Sequence, residues 1–226
     1  MEHKDAMPIG IPDKNVQDRL LDTAEQLFCD KGFEATSIRD LAAAADCNVA
    51  SVNYYFGGKD KLYIEMWRRH LLRMRDARLA SIDRAMSQSA APTLENLLTS
   101  FAISFLEPLA DERRGLQFVR LMAREMLDRR LPGGMFVKEM ILPVIQSLEQ
   151  ALTRICPRLD QTKANLAILS IVGQLMHAAG TMTMFSQSGE QQVPKYDVAE
   201  IIEHVVAFSA AGIRAYAQQP AQSVCQ

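Results

Sequence analysis

Residues 36–59, TSIRDLAAAADCNVASVNYYFGGK, constrain the fold more tightly than any other stretch. They read as two short helices joined by a tight turn. The hydroxyl of Thr36 or Ser37 suits a helix N-cap, because it accepts a hydrogen bond from an unpaired backbone N–H. Ile38, Leu41, Ala42 and Ala45 then recur at helical spacing and give one apolar face. Asp46-Cys47-Asn48 interrupts that face. Asp and Asn tolerate a left-handed backbone and bond locally, so both suit a turn. Asn48 also suits the N-cap of a second helix reaching Tyr55 or Phe56. Val52 and Phe56, four apart, form its inner side.

The outer side of that second helix carries Ala50, Ser51, Asn53, Tyr54 and Tyr55, and no charge. Small residues near a helix N-terminus allow close approach to a surface. In a helix-turn-helix the second helix lies in the major groove with its N-terminal residues at base edges. Asn is the side chain that pairs bidentately with adenine, and Ser bonds either to bases or to phosphate. Tyrosine hydroxyls reach phosphates. The expected DNA-binding set is Thr36, Ser37, Arg39, Asn48, Ala50, Ser51, Asn53, Tyr54, Tyr55 and Lys59, with Lys59 at a phosphate where the next helix starts. The same pattern also fits two short helices of an ordinary helical core.

Residues 17–62 resemble the DNA-binding domain of the TetR family of bacterial transcriptional regulators. The resemblance rests on LLDTAEQLF (20–28), KGFEATSIRDLA (31–42) and YFGGKDKL (55–62). It departs from the family's usual residues at Asp46, where Gly is customary in the turn, and at Asn53, where Tyr is customary on the reading helix. The first bears on the turn and the second on the operator sequence. The family implies a helical C-terminal body that holds an effector pocket and dimerises through its last two long helices. Residues 53–57 with 121–125, LMARE, also resemble a CecR-like subgroup.

Composition sets limits. The chain of 226 residues carries a net charge of −2, and residues 1–75 hold 11 Lys/Arg against 12 Asp/Glu. That is not the balance of an indiscriminate nucleic-acid coat, whereas a specific reader needs only local positive or amide groups. The four cysteines are widely spaced and form no metal-ligand pattern, so reduced thiols are expected. Cys47, in the turn, is the one candidate for a redox role. Residues 1–14 are polar, with Pro8 and Pro12 and no apolar run, and read as a disordered tail rather than a signal peptide.

Along the rest of the chain the spacing predicts helices only. The first runs from Asn15 or Asp18 to about 30, and the fourth from 59 or 60 to about 87. The others are expected at 93–109, 111–128, 135–156 with a kink at Pro143, 161–185, and 197–217. The Arg-rich second half of the fourth helix, including Arg78, reads as a solvated face or an ion-pair network. Residues 164–185 lack any charge, long enough to cross a bilayer, yet they hold Asn165, Gln174 and His177 and have no basic flank. A buried packing or dimer helix fits better than a membrane span. No strand alternation, catalytic constellation or metal-ligand set stands out, so neither an enzyme nor a cofactor is expected.

The fold class is therefore all-α: an N-terminal three-helix helix-turn-helix head (15–60) behind the tail, and a larger C-terminal ligand-binding and dimerisation body (61–226). The expected partners are a double-stranded DNA operator, a small-molecule effector and a second copy of the chain. The interface stripe on the last helix is Ile201, Ile202, Val205, Phe208 and Ala211-Gly212. An apolar pocket is expected from Met66, Trp67, Leu71, Phe101, Phe105, Phe118, Met122 and Met126, with Gln174 or His177 as polar handles. The expected function is a cytoplasmic repressor released by an apolar or aromatic effector. The alternative is a helical ligand-binding or interaction protein that no longer binds DNA. The sequence names neither effector nor operator.

Overall fold

The computed structural model describes residues 15–88, 91–110, 112–188 and 197–218. The expected N-terminal tail (1–14), most of the polar loop before the last helix and the C-terminal tail lie outside the described residues. Among the described residues the chain forms nine α-helices and one π-helical turn. They divide into two compact units, one ending at Trp67 and the other beginning at Arg68.

The head comprises α1 (Val16–Lys31), α2 (Ile38–Ala44), α3 (Val49–Phe56) and the start of α4 (Lys59–Ser87). Asn15 caps α1 by accepting from Asp18 N–H. Leu20, Leu21, Ala24 and Phe28 make its inner stripe, packed with Leu41, Ala42, Val52 and Leu62, all buried. Phe28, Phe33 and Tyr63 form an aromatic trio with ring centroids 5.1–5.5 Å apart, the separation at which edge and offset contacts are favourable. Ser37, not Thr36, caps α2. Its Oγ accepts from Asp40 N–H while the Asp40 carboxylate accepts from Ser37 N–H, a reciprocal capping box. Those bonds from Ser37 hold the Asp40 carboxyl below its usual carboxylate value.

In the body, α5 (Leu94–Ala110) packs against α6 (Glu112–Asp128), α7 (Leu142–Ile155), α8 (Gln161–Ser188) and α9 (Val198–Gln218). Its Leu97, Leu98, Phe101, Ala102 and Leu106 sit in one core with Ile82 and Ala85 of α4, Leu148 and Leu152 of α7, Ile168 and Leu175 of α8, and Val206 and Ile213 of α9. The expected kink at Pro143 takes a specific form. Val137–Ile141 is a π-helical turn, in which Leu142 N–H bonds back five residues to Val137 O, and α7 begins afresh with Pro143 in its first turn. Proline has no N–H and its ring crowds the carbonyl four residues back. The wider turn relieves that crowding without ending the helical path.

The charge-free run 164–185 of α8 resolves into two apolar faces. Ala164, Ala167, Ile168, Ile171 and Leu175 are buried in the core, while Leu166, Leu169 and Met176 are half or more exposed. A helix apolar on all sides is one that expects a second partner or a membrane. No described helix is long and apolar enough to cross a membrane.

Candidate functional site

The turn between α2 and α3 sets how the second helix is presented. Asp46 adopts φ 50°, a left-handed backbone that short polar side chains tolerate. This is where the sequence led us to expect a turn residue in place of glycine. From α1, the Arg19 guanidinium donates to the carbonyls of Ala45 (3.0 Å) and Asp46 (3.3 Å) and pins the turn to the head. Asn48 then caps α3, its Oδ1 accepting from Ala50 N–H at 2.8 Å. At the far end Gly57 closes α3 in the left-handed region (φ 73°), its N–H bonding to Asn53 O. A Cβ there would be strained by backbone and would press on the Lys61 side chain at 3.3 Å.

Between these caps α3 buries Val52 and Phe56 and turns the rest outward. Ala50, Asn53, Tyr54 and Tyr55 are exposed, and Ser51 is half-buried. Tyr54 is 83% exposed, with its ring edge-on to Tyr55 at 5.0 Å. Large aromatic side chains left in water on a rigid capped helix are a surface waiting for a partner. Asn48 is exposed at the same turn, and Ser37 and Arg39 are exposed at the start of α2.

Two expected contacts are corrected. Thr36 is fully buried, its Oγ1 donating to Gly32 O at 2.7 Å, so its side chain ties the α1–α2 loop and is closed to any outside ligand. Lys59 points inward: Nζ donates to Phe33 O (2.9 Å) and Thr36 O (3.0 Å) and lies 4.1 Å over the Phe33 ring. One ammonium proton remains for anything outside. We therefore expect Lys59→Met to lower head stability by about 1–2 kcal/mol, in line with losing charge-assisted hydrogen bonds at a half-exposed site. Thermal melting would read the loss. A drop in the salt dependence of DNA binding with unchanged melting would instead return Lys59 to a phosphate.

The expected pocket residues do not all face one way. Met66 and Trp67 are buried in the head unit, and Leu71 and Phe101 are buried in the body. Phe105 and Met122 are half-buried. Met126 is 72% exposed, because α6 turns Leu121 and Glu125 inward and Met126 lies on the opposite side. The side chain of Phe118 lies outside the described residues. Gln174 and His177 belong to the outer side of α8: Gln174 Nε2 bonds to Ser209 Oγ of α9 at 3.4 Å, and His177 is exposed beside Thr181. Neither handle is buried in the body. A groove of about 930 Å³ runs between α5 and α9, lined by Thr99, Ile103, Ile202 and Val206 with the Glu95–Arg214 ion pair at its rim. None of the expected pocket residues lines it. Ile103 is half-exposed there, so the groove is open to solvent.

Sequence reasoning missed a polar cluster inside the body. Arg78 and Ser81 of α4 and Ser104 of α5 are each less than a tenth exposed. The Arg78 guanidinium lies 4.2 Å over the Phe105 ring, and its Nη1 meets Met140 Sδ of the π turn at 3.0 Å. Arg78 was expected in a solvated or ion-paired run. Arg68 fits that, pairing with Glu139 at 3.0 Å, but Arg78 does not. A signal was present: Leu71, Arg78, Ile82 and Ala85 share one helical stripe, which places the arginine on the inner face.

On the outer side of the body, Leu166, Leu169, Gly173, Met176 and Gly180 recur at three- and four-residue spacing along α8. A Cβ added at either glycine, or at Gly212 of α9, would meet nothing within 4 Å. Phe208 of α9 is 65% exposed. The expected stripe on α9 is partly corrected, since Val205 is buried in the core and Ile201 and Ile202 pack against it.

Comparison with known proteins places this architecture. Residues 20–66 match the model for bacterial regulatory proteins of the tetR family, and residues 99–212 match the tetracyclin repressor-like C-terminal domain. The probable HTH-type transcriptional regulator YttP of Bacillus subtilis is 46% identical over 48 residues, which span 21% of this chain and 23% of that relative's length. Among solved structures, a TetR-family transcriptional regulator from Mesorhizobium loti superposes with a TM-score of 0.67 at 17% identity, covering 91% of this chain and 98% of its own. The fatty acid degradation regulator FadR from Bacillus halodurans does so with 0.61 at 17% identity, over 90% and 99%. PfmR from Thermus thermophilus gives 0.53 at 22% identity, over 87% and 98%. At those identities the structures speak for the fold alone, and the two domain models carry the assignment: this chain belongs to the TetR family of bacterial transcriptional regulators.

Proposed function

We propose that the chain is a homodimeric, cytoplasmic repressor that reads a near-palindromic DNA operator with α3 and leaves it when a small effector binds the body. The observation that carries the DNA-binding reading is the outward side of α3, which presents Ala50, Asn53, Tyr54 and Tyr55 between two firm caps. Asn53 is suited to an adenine edge, and Ser51 and the tyrosines to phosphates or sugar. Ser37, Arg39 and Asn48 flank it. The head supplies DNA binding, and the body supplies effector binding and dimerisation.

The second apolar face of α8, continued by Phe208 on α9, is the natural interface. Two copies would meet there about a two-fold axis as a four-helix bundle. The effector site belongs to the body, beside the half that α4 contributes to it. Small-molecule sites bury most of their ligand, which favours the interior around Phe101 and Phe105 over the open α5–α9 groove. Because α4 also begins in the head, an effector with unequal affinity for two settings of that helix shifts the population of DNA-competent dimers. The CecR-like resemblance at 121–125 fits this reading without narrowing it. The test is an electrophoretic shift with the DNA upstream of the chain's own coding region. A specific complex that excess unrelated DNA leaves intact supports the proposal, and its absence at low salt overturns it.

A further inference from the structure

Among the described residues of the body, one buried guanidinium has no acid beside it. Arg78 is 6% exposed, and among the described residues no carboxylate pairs with it. Its contacts are the Phe105 ring and the Met140 thioether, a weak acceptor, while its Nε finds no acceptor. Burial draws its pKa down to about 10, so the guanidinium keeps its proton at neutral pH. A buried cation met only by a ring and a sulfur is costly, and native structures leave such groups seldom.

Two buried hydroxyls lie on the same two helices, one of them bonded to the Arg78 backbone. Ser81 Oγ donates to Arg78 O (2.7 Å), and Ser104 Oγ donates to Phe101 O (2.8 Å). The two Oγ atoms also lie 3.0 Å from each other. Each hydroxyl has one proton, so three contacts share two protons. Both protons are already engaged by carbonyls, so neither hydroxyl has one to spare for an anion and the charge of Arg78 alone is left to meet it. Met140 sits on the π-helical turn, and such turns gather at functional sites. Three elements, α4, α5 and the π turn, thus converge on one under-satisfied cation with apolar walls.

We infer that Arg78 is the anion-recognising end of the effector site, and that the effector is an apolar molecule bearing a single carboxylate. This rests on the reading of the chain as an effector-responsive regulator and narrows the effector's class. The guanidinium fork matches a carboxylate bidentately. One buried cation balances one negative charge, which favours a carboxylate over a doubly charged phosphate monoester. Phe105, Phe101 and Met140 supply the apolar surroundings for the rest of the molecule.

The test is calorimetric binding to the full-length chain with octanoate, dodecanoate and 4-phenylbutanoate, each beside its primary amide. The amide keeps the shape and polarity while removing the charge. At least one acid is expected to bind tenfold or more tightly than its amide, and Arg78→Met is expected to bind both alike while melting no lower than the parent. Arg78→Lys keeps the charge and loses the fork, so it should retain a reduced preference. Equal binding of acids and amides by the parent overturns the carboxylate inference and leaves an uncharged effector standing. An acid preference undiminished in both variants overturns the role of Arg78. Binding of neither class overturns the inference and the interior effector site together.

Discussion

Phe208→Glu is expected to yield a folded monomer that no longer holds the proposed operator. Phe208 is 65% exposed, stacked only on His204 of its own helix at 6.1 Å, and it lies outside the body's core. The substitution therefore removes little from the single chain. In a two-fold interface the same change occurs twice, and two carboxylates would lie close to one another in apolar surroundings. Burying even one unpaired charge costs several kcal/mol. An interface of the obligate kind, burying on the order of 2,000 Å², would not survive that. Sedimentation should show monomer where the parent shows dimer, with helical circular dichroism retained. Operator affinity should fall by about 100-fold or more, because each half-site is then bound alone. Gly173→Leu is an independent check: among the described residues nothing lies within 4 Å of a Cβ placed there, so the added side chain is expected to crowd a partner. If both variants remain dimers at micromolar concentration, the second apolar face of α8 is not the interface.

Helix positions were legible because each helix carries its own punctuation. Asn15, Ser37 and Asn48 cap, Gly32 and Gly57 stop, and the periodic stripes between them give lengths that the structure changes by only a few residues. Legibility failed where the chain has more than one apolar stripe or more than one use for a polar group. On α6 both Met122 and Met126 looked like lining, yet the inward face is set by Leu121 and Glu125, and Met126 is left in water. On α8 apolar residues surround the helix, so spacing could not say which belong to the core and which to the outside. Gln174 and His177 went astray for the same reason.

Polar residues were misread through their default roles. A threonine before a helix suggests a cap or a phosphate contact, but Thr36 spends its hydroxyl on the Gly32 carbonyl. A lysine after Gly-Gly suggests a phosphate, but two nearby carbonyls and the Phe33 ring lie within reach of Lys59. Arg78 was hidden by its neighbours, since an arginine-rich helix reads as a solvated face. Register would have shown that this one arginine lies in line with Ile82 and Ala85.

Tyr54→Glu should abolish tight operator binding without touching the fold. Tyr54 of α3 is 83% exposed, and among the described residues its ring meets only that of Tyr55, on the surface. Thermal stability should therefore change by no more than about 0.5 kcal/mol, the usual range for surface positions. At the DNA, the variant loses a hydroxyl that donates to a phosphate and sets a carboxylate against the negative backbone. Taking about 1–2 kcal/mol for the two effects together in each subunit, a dimer loses it twice, which at 1.36 kcal/mol per factor of ten is roughly 30- to 1,000-fold. The repulsive part is screened by salt, so the gap between parent and variant should narrow as salt rises. Tyr54→Phe, which removes the hydroxyl alone, should show a smaller loss and no such narrowing. Fluorescence anisotropy with the operator at several salt concentrations would read all three proteins. A Tyr54→Glu variant that binds as tightly as the parent at low salt would place α3 with a different face toward the DNA, or take it off the DNA altogether.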